Sequence, residues 1–134
     1  MDDSRFRRSR DSEGPAFVRP LRILLVEDHE ETLGFLSHHL SLEGHSVTTA
    51  RSAAEAIAIV RERVPEVLLC DISLPDADGC ELLGKIADRR PPLCIAMSGY
   101  GASSDLRRSE SAGFHHHLTK PFLPDDLDHL LGQS

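Results

Sequence analysis

Chemistry-bearing residues in this chain collect where short apolar runs end. Glu27-Asp28 follows Leu21–Val26, Asp71 follows Val67–Cys70, Ser98-Gly99 follows Leu93–Met97, and Thr119-Lys120-Pro121 follows His115–Leu118. If these runs are parallel strands of one sheet, three carboxylates, a hydroxyl and an ammonium converge at one edge. Ligands in such sheets bind at the carboxyl ends of the strands. Three carboxylates held together repel unless a hard cation shares them, and an all-oxygen set with room for water suits Mg²⁺ or Mn²⁺. One carboxylate can then attack a phosphoryl group whose charge is spread over the metal, Lys120 and a hydroxyl. Each group also has an ordinary use. Glu27-Asp28 can cap the following helix, Asp71 can close a turn, Ser98-Gly99 can be a plain loop, and Lys120 a surface lysine. Their joint occurrence at four strand ends favours the chemical reading.

The elements that would position these groups show as short apolar runs alternating with amphipathic stretches, the pattern of a parallel sheet with covering helices. Ser46–Thr49 completes a set of five strands. Residues 30–42 place Thr32, Leu36 and Leu40 about one helical turn apart, and residues 52–63 place Ala53, Ala56, Ile57 and Val60 on one face. Further helices are expected over 79–88, 103–112 and 124–131. Gly44 is placed to end the first helix with a positive φ, and Pro65 separates the second helix from the third strand. The predicted fold is α/β: a doubly wound, five-stranded parallel sheet with helices on both faces.

With 134 residues, 40% of them hydrophobic, the chain fits one domain. It is expected at 21–132, behind a flexible Arg-rich arm at 1–20 whose charge, Ser, Gly14, Pro15 and Pro20 show no apolar period. No apolar run approaches the ~20 residues that cross a bilayer, and the N-terminus lacks an apolar signal core, so a cytoplasmic protein without membrane contact is expected. Net charge is −7, and the first twenty residues hold five Arg against four acids, so the body is acidic. That argues against direct DNA binding by the body, because affinity for duplex DNA rests on neutralising its phosphates. Arg5 to Arg10 are few and interleaved with Asp and Ser, a weak signal for nucleic acid or an acidic partner. Cys70, Cys80 and Cys94 lack metal-ligand spacing and are expected as reduced core residues. The last helix ends almost at the C-terminus, which leaves no room for an output domain: either a stand-alone unit or a piece of a longer protein is expected.

Four motifs in order resemble the receiver domains of two-component signalling, which have a flavodoxin-like fold. They are Leu-Val-Glu-Asp at 25–28, Cys-Asp-Ile-Ser-Leu-Pro-Asp-Ala-Asp-Gly at 70–79, Met-Ser-Gly-Tyr-Gly at 97–101 and Leu-Thr-Lys-Pro-Phe at 118–122. The match runs from about Leu21 to Leu131. The resemblance implies that Asp71 is the phosphoacceptor and that Asp28 binds Mg²⁺ directly, with Glu27 assisting through water and the Ser73 main-chain carbonyl as a further ligand. It implies that the Ser98 hydroxyl and the Lys120 ammonium bind the phosphoryl group, that Gly99 leaves room beside Ser98, and that the Lys120-Pro121 bond is cis. The implied partner is a sensor histidine kinase or a histidine phosphotransfer protein, with a homodimer as a further option. The function is that of a switch rather than an enzyme, the chain assisting only its own phosphorylation and dephosphorylation. Leu33, off the expected core face of the first helix, is a candidate for the donor contact.

One position departs from the family. Where Tyr or Phe is usual near the end of the fifth strand, this chain has His117, a replacement associated with receivers similar to those of hybrid histidine kinases. A titratable ring there offers two readings, a pH-dependent coupling and, favoured, a flat polar filler. His115, His116 and His117 cannot share one ion, since adjacent strand side chains point to opposite faces. Two alternatives from other classes remain. Asp71-Ile72-Ser73 faintly echoes the Asp-x-Asp motif of haloacid-dehalogenase-like phosphatases, but Ser73 lacks the carboxylate needed for acid/base turnover. A phosphorylation-independent interaction module is the other, and the full set of site residues argues against it.

Overall fold

A computed structural model of the protein describes residues 19–99 and 103–132. The expected arm at 1–20, apart from Arg19 and Pro20, and the Tyr100-Gly101 end of the third motif lie outside these residues. Five parallel strands form one sheet in the order β2-β1-β3-β4-β5. They are β1 (Arg22–Val26), β2 (Ser46–Ala50), β3 (Val67–Asp71), β4 (Leu93–Ser98) and β5 (His116–Thr119). The inner strands β1, β3 and β4 are buried on both faces, which is why they read as unbroken apolar runs. The edge strands β2 and β5 keep polar residues.

Alternation along the inner strands divides the core in two. Ile23, Leu25, Val67, Leu69, Ile95 and Met97 pack beneath α1 (Glu30–Leu42) and α5 (Pro124–Gly132), which contribute Leu36, Leu40, Leu127 and Leu131. Leu24, Val26, Leu68, Cys70, Cys94 and Ala96 pack beneath α2 (Ala53–Glu62), α3 (Gly79–Lys85) and the end of α4 (Ser103–Ala112). The chain steps outward from β1 to β2 and returns past β1 to β3, so the order reverses between β1 and β3. A crevice opens at such a reversal, at the carboxyl ends of the strands. Glu27, Asp28 and Asp71 stand there.

Several local expectations change. The helix expected over 79–88 ends at Lys85 and gives way to a 3₁₀ turn at Ala87–Arg89, which stops where Pro91 holds Arg90 in extended backbone. β5 begins at His116 rather than His115, whose ring takes over one bond of the ladder: its Nδ1 accepts from the Cys94 N–H at 2.9 Å. Leu33 is not off the core face. It lies three residues before Leu36 on the same stripe, is half-buried and packs into the α1–α5 side of the core. The exposed apolar residues of α1 are Phe35, at 58%, and Leu42 at its last position. Gly44 ends α1 at φ +95° as expected. All three thiols are free, with Cys70 and Cys94 buried and Cys80 half-buried. Burial pushes the Cys94 thiol up to about 11.

Candidate functional site

Glu27 continues β1, its N–H donating to the Ala50 carbonyl at 3.0 Å, and its side chain is only 1% exposed. Oε1 accepts from Lys120 Nζ at 2.5 Å and Oε2 from the His29 N–H at 3.0 Å. Burial raises its pKa above the ordinary 4.5; the hydrogen bonds from Lys120 and His29 oppose that, and the Asp71 charge adds to it. Asp71 ends β3 and is 6% exposed. Its Oδ1 accepts from the Ser73 N–H at 2.9 Å and its Oδ2 from Lys120 Nζ at 2.8 Å. Lys120 follows β5, its N–H donating to the Ser98 carbonyl at 2.7 Å, and the Lys120-Pro121 bond is cis. Burial disfavours its charge, but the bonds and charges of Asp71 and Glu27 outweigh this and hold its pKa above 10.5. It is an ammonium ion at any physiological pH.

Asp28 is exposed, and Glu27, Asp28 and Asp71 each offer a carboxylate oxygen within 4.8 Å of the others. Neither Glu27 nor Asp28 caps α1. His29 does, its ring accepting from the Thr32 N–H, so the two acids are free to face the crevice. An oxygen-only donor set of this density, two of its members buried, fits a hard divalent ion better than it fits a bare acidic cluster. A second group of potential ligands, His39, Glu43 and Asp128, joins the far end of α1 to α5, and there His39 Nε2 already pairs with Asp128 at 3.0 Å.

The loop from β3 to α3 is fixed at several points. Ile72 extends the β3–β4 pairing through its N–H on the Met97 carbonyl at 2.8 Å, and Ser73 bridges to Asp78. Asp76 accepts from the Ala53 and Ala54 N–H groups at 2.8 and 3.0 Å, satisfying two open donors at the start of α2. Asp78 forms a capping box with Glu81 and pairs with Arg108 of α4. Gly79 is the tightest point: a Cβ there would stand 2.8 Å from the Asp71 carbonyl oxygen and 3.2 Å from Ile72 Cα. Sequence reasoning assigned no role to Asp76 or Gly79. The Asp78-x-x-Glu81 spacing was a readable signal for the cap.

Ser98 ends β4 and is 2% exposed. Its Oγ lies 2.6 Å from His117 Nε2, and His117 Nδ1 lies 2.8 Å from Oγ of Ser109 on α4. Burial lowers the His117 pKa below 6.5, with Asp105 acting in the opposite sense. A Cβ on Gly99 would meet nothing within 4 Å, so space is open beside Ser98. The three consecutive histidines have separate surroundings: His115 bonds to Cys94, His116 pairs with Ile95 in the ladder, and His117 joins the two serines.

Over residues 23–131 the chain matches the response regulator receiver domain. It is 34% identical over 114 residues to an uncharacterized 14.6 kDa protein in the sodA1 3'region of Leptolyngbya boryana, covering 83% of this chain and 87% of that protein. It is 32% identical over 110 residues to the probable transcriptional regulatory protein TcrX of Mycobacterium tuberculosis, covering 81% of this chain and 47% of that one. The chain thus spans about half the length of that regulator. A CheY-like response regulator receiver domain protein from Methanospirillum hungatei JF-1 superposes with a TM-score of 0.79 at 33% identity, covering 86% of this chain and 93% of that one.

Gly79→Ala forces α3 away from the end of β3. It is expected to lower stability by about 1–3 kcal/mol and to shift the backbone amide resonances of Asp71 and Ser73. Chemical denaturation and NMR check this; an unchanged midpoint with unchanged Asp71 and Ser73 resonances contradicts the close approach.

Proposed function

The chain belongs to the response regulator receiver domain family, and from that premise we propose that it is a signalling switch whose Asp71 accepts a phosphoryl group from a phosphohistidine donor. The observation that carries this reading is the placement of Asp71 at the strand-order reversal, with one carboxylate oxygen on Lys120 and the other on the Ser73 N–H. Asp28, Asp71 and the Ser73 main-chain carbonyl would hold Mg²⁺ or Mn²⁺ directly, and Glu27 through water. Bound there, such an ion would offset the carboxylate charge and spread that of the phosphoryl oxygens. A carboxylate oxygen of Asp71 attacks phosphorus, the donor's P–N bond breaks, and an acyl phosphate forms. Lys120, already charged and held at this edge, pairs with a phosphoryl oxygen; the Ser98 hydroxyl donates to another, in the space beside Gly99. The His29 N–H keeps Glu27 in place while Lys120 redistributes its contacts.

Two features weigh against the other readings. Ser73 stands where an Asp-nucleophile phosphatase needs an acid/base carboxylate, so turnover on many esters lacks a proton carrier. The convergence of Glu27, Asp28, Asp71 and Lys120 is costly in repulsion and desolvation, which a phosphorylation-independent docking module has no use for. A sensor histidine kinase or histidine phosphotransfer protein is the proposed donor. The docking face is an open groove of about 320 Å³ between α1 and the segment after β5, lined by His29, Thr32, Phe35, Lys120 and Phe122. Phe35, rather than Leu33, presents the apolar surface. Direct DNA contact by this acidic body is not proposed, and a cytoplasmic setting is; among the described residues no helix is long and apolar enough to cross a membrane.

Incubation with Mg²⁺ and acetyl phosphate, followed by intact-mass measurement, is expected to add one labile phosphate to the wild type. Asp71→Asn and chelator-treated protein should take up none. Uptake by the Asn variant at the wild-type rate would sink the assignment, sustained phosphate release from many esters would indicate a hydrolase, and no uptake would indicate a docking module. For the groove, Phe35→Asp is expected to slow transfer from a phosphohistidine protein at least about tenfold, the loss of one well-packed aromatic contact, with acetyl phosphate unaffected. Equal loss with both donors would contradict a docking role for Phe35.

A further inference from the structure

Two buried serines and the half-buried His117 between them form a hydrogen-bonded chain whose proton directions follow from its outermost partner. Ser109 is 1% exposed and its hydroxyl donates to the Leu106 carbonyl at 3.0 Å. A hydroxyl has one proton, so Ser109 Oγ is an acceptor toward the ring, and His117 Nδ1 carries the hydrogen. In the neutral ring Nε2 is then bare and can only accept. The proton in the 2.6 Å contact therefore belongs to Ser98, whose hydroxyl donates to His117. A Ser98 proton committed to His117 is not available to a phosphoryl group on Asp71. When Ser98 turns its proton to such a group, the bare Nε2 of the half-buried ring loses its donor, at a cost that protonation removes. The imidazolium donates from Nε2 to Ser98 Oγ and from Nδ1 to Ser109, and every partner is again satisfied.

We propose that His117 and Ser109 are positioning residues for the acceptor site: the chain Ser98–His117–Ser109 holds the Ser98 hydroxyl proton on His117, and its release to a phosphoryl group on Asp71 is coupled to uptake of one proton by His117. This rests on the acceptor reading of Asp71. No heavy-atom bond changes beyond the phosphoryl transfer already described; one N–H bond forms at Nε2, its proton drawn from solvent. The described charged groups around the ring are few. Asp105 of α4 favours its protonation and is itself bonded to Arg108. Across the ladder β4 presents Ala96 and Ser98, and Lys120, three residues on, is held by Glu27 and Asp71.

The sign follows from linkage. Partial burial favours the neutral form of the resting ring, and if occupation of the site adds a proton, occupation is favoured by lower pH, up to about tenfold per pH unit between the two His117 pKa values. Beryllofluoride with Mg²⁺ serves as the phosphoryl probe. The ring ¹⁵N resonances of His117 and the probe affinity are measured between about pH 5.5 and 7.5, where histidines titrate. On binding, Nε2 of the wild type is expected to change from unprotonated to protonated near neutral pH, and the ratio of wild-type to His117→Phe affinity is expected to rise as pH falls. Ser109→Ala, which frees Nδ1 and lets the ring take the other tautomer, should flatten the pH dependence. Ser109→Thr should restore it. A His117 ring that stays neutral in the bound wild type, or an affinity ratio that is flat with pH, overturns the proposal while leaving the acceptor reading intact. Absence of probe binding to the wild type overturns both. The wild-type ring measurement decides even if a variant fails to fold.

Discussion

Lys120 reaches from the end of β5, past β4, to place one ammonium between carboxylates on β3 and β1, 2.8 Å from Asp71 and 2.5 Å from Glu27. Both acids are almost wholly removed from water. Two buried carboxylates side by side repel and lose hydration worth several kcal/mol each. The shared cation, the His29 and Ser73 N–H groups, and the open side facing Asp28 are what make that arrangement tolerable. Much of the surrounding backbone serves this one contact. The cis peptide at Pro121 belongs to the turn that carries Lys120, and β4 holds that turn through the Ser98 carbonyl.

A charge cluster of this kind stores unfavourable energy that a bound divalent ion would relieve, which would link stability to ion binding at the same residues. The β3–α3 loop is correspondingly anchored rather than free, by Asp76 at the start of α2, by the Asp78–Glu81 box, and by the absence of a side chain at Gly79. Ser98 lies on the other side of Asp71's strand and is tied through His117 to α4. The carboxyl end of β4 and α4 are therefore connected by two hydrogen bonds and one ring.

The sheet and the main site residues were legible because inner parallel strands read as unbroken apolar runs and chemistry sits where such runs stop. Glu27, Asp28, Asp71 and Lys120 converge as that rule expects. What escaped the sequence was decided by contacts between distant segments. Asp76 looks like one more loop acid until α2 is brought against it. His29 takes the cap that Glu27 or Asp28 could have taken. Leu33 was misplaced because the core face was traced through Thr32, Leu36 and Leu40 alone, whereas Leu33, three residues before Leu36, packs beside Leu36 and Leu40. Ser109 carries no pattern at all; its part exists only once α4 packs beside β5.

The central claim is that Asp71 becomes an acyl phosphate. The most direct test treats the Mg²⁺- and acetyl-phosphate-incubated protein with borohydride, which reduces an acyl phosphate to the alcohol, and then maps the modified residue by peptide mass spectrometry. Homoserine is expected at position 71 and nowhere else, dependent on Mg²⁺. An unmodified Asp71 peptide, or reduction at Asp28, Glu27 or another acid instead, would contradict it.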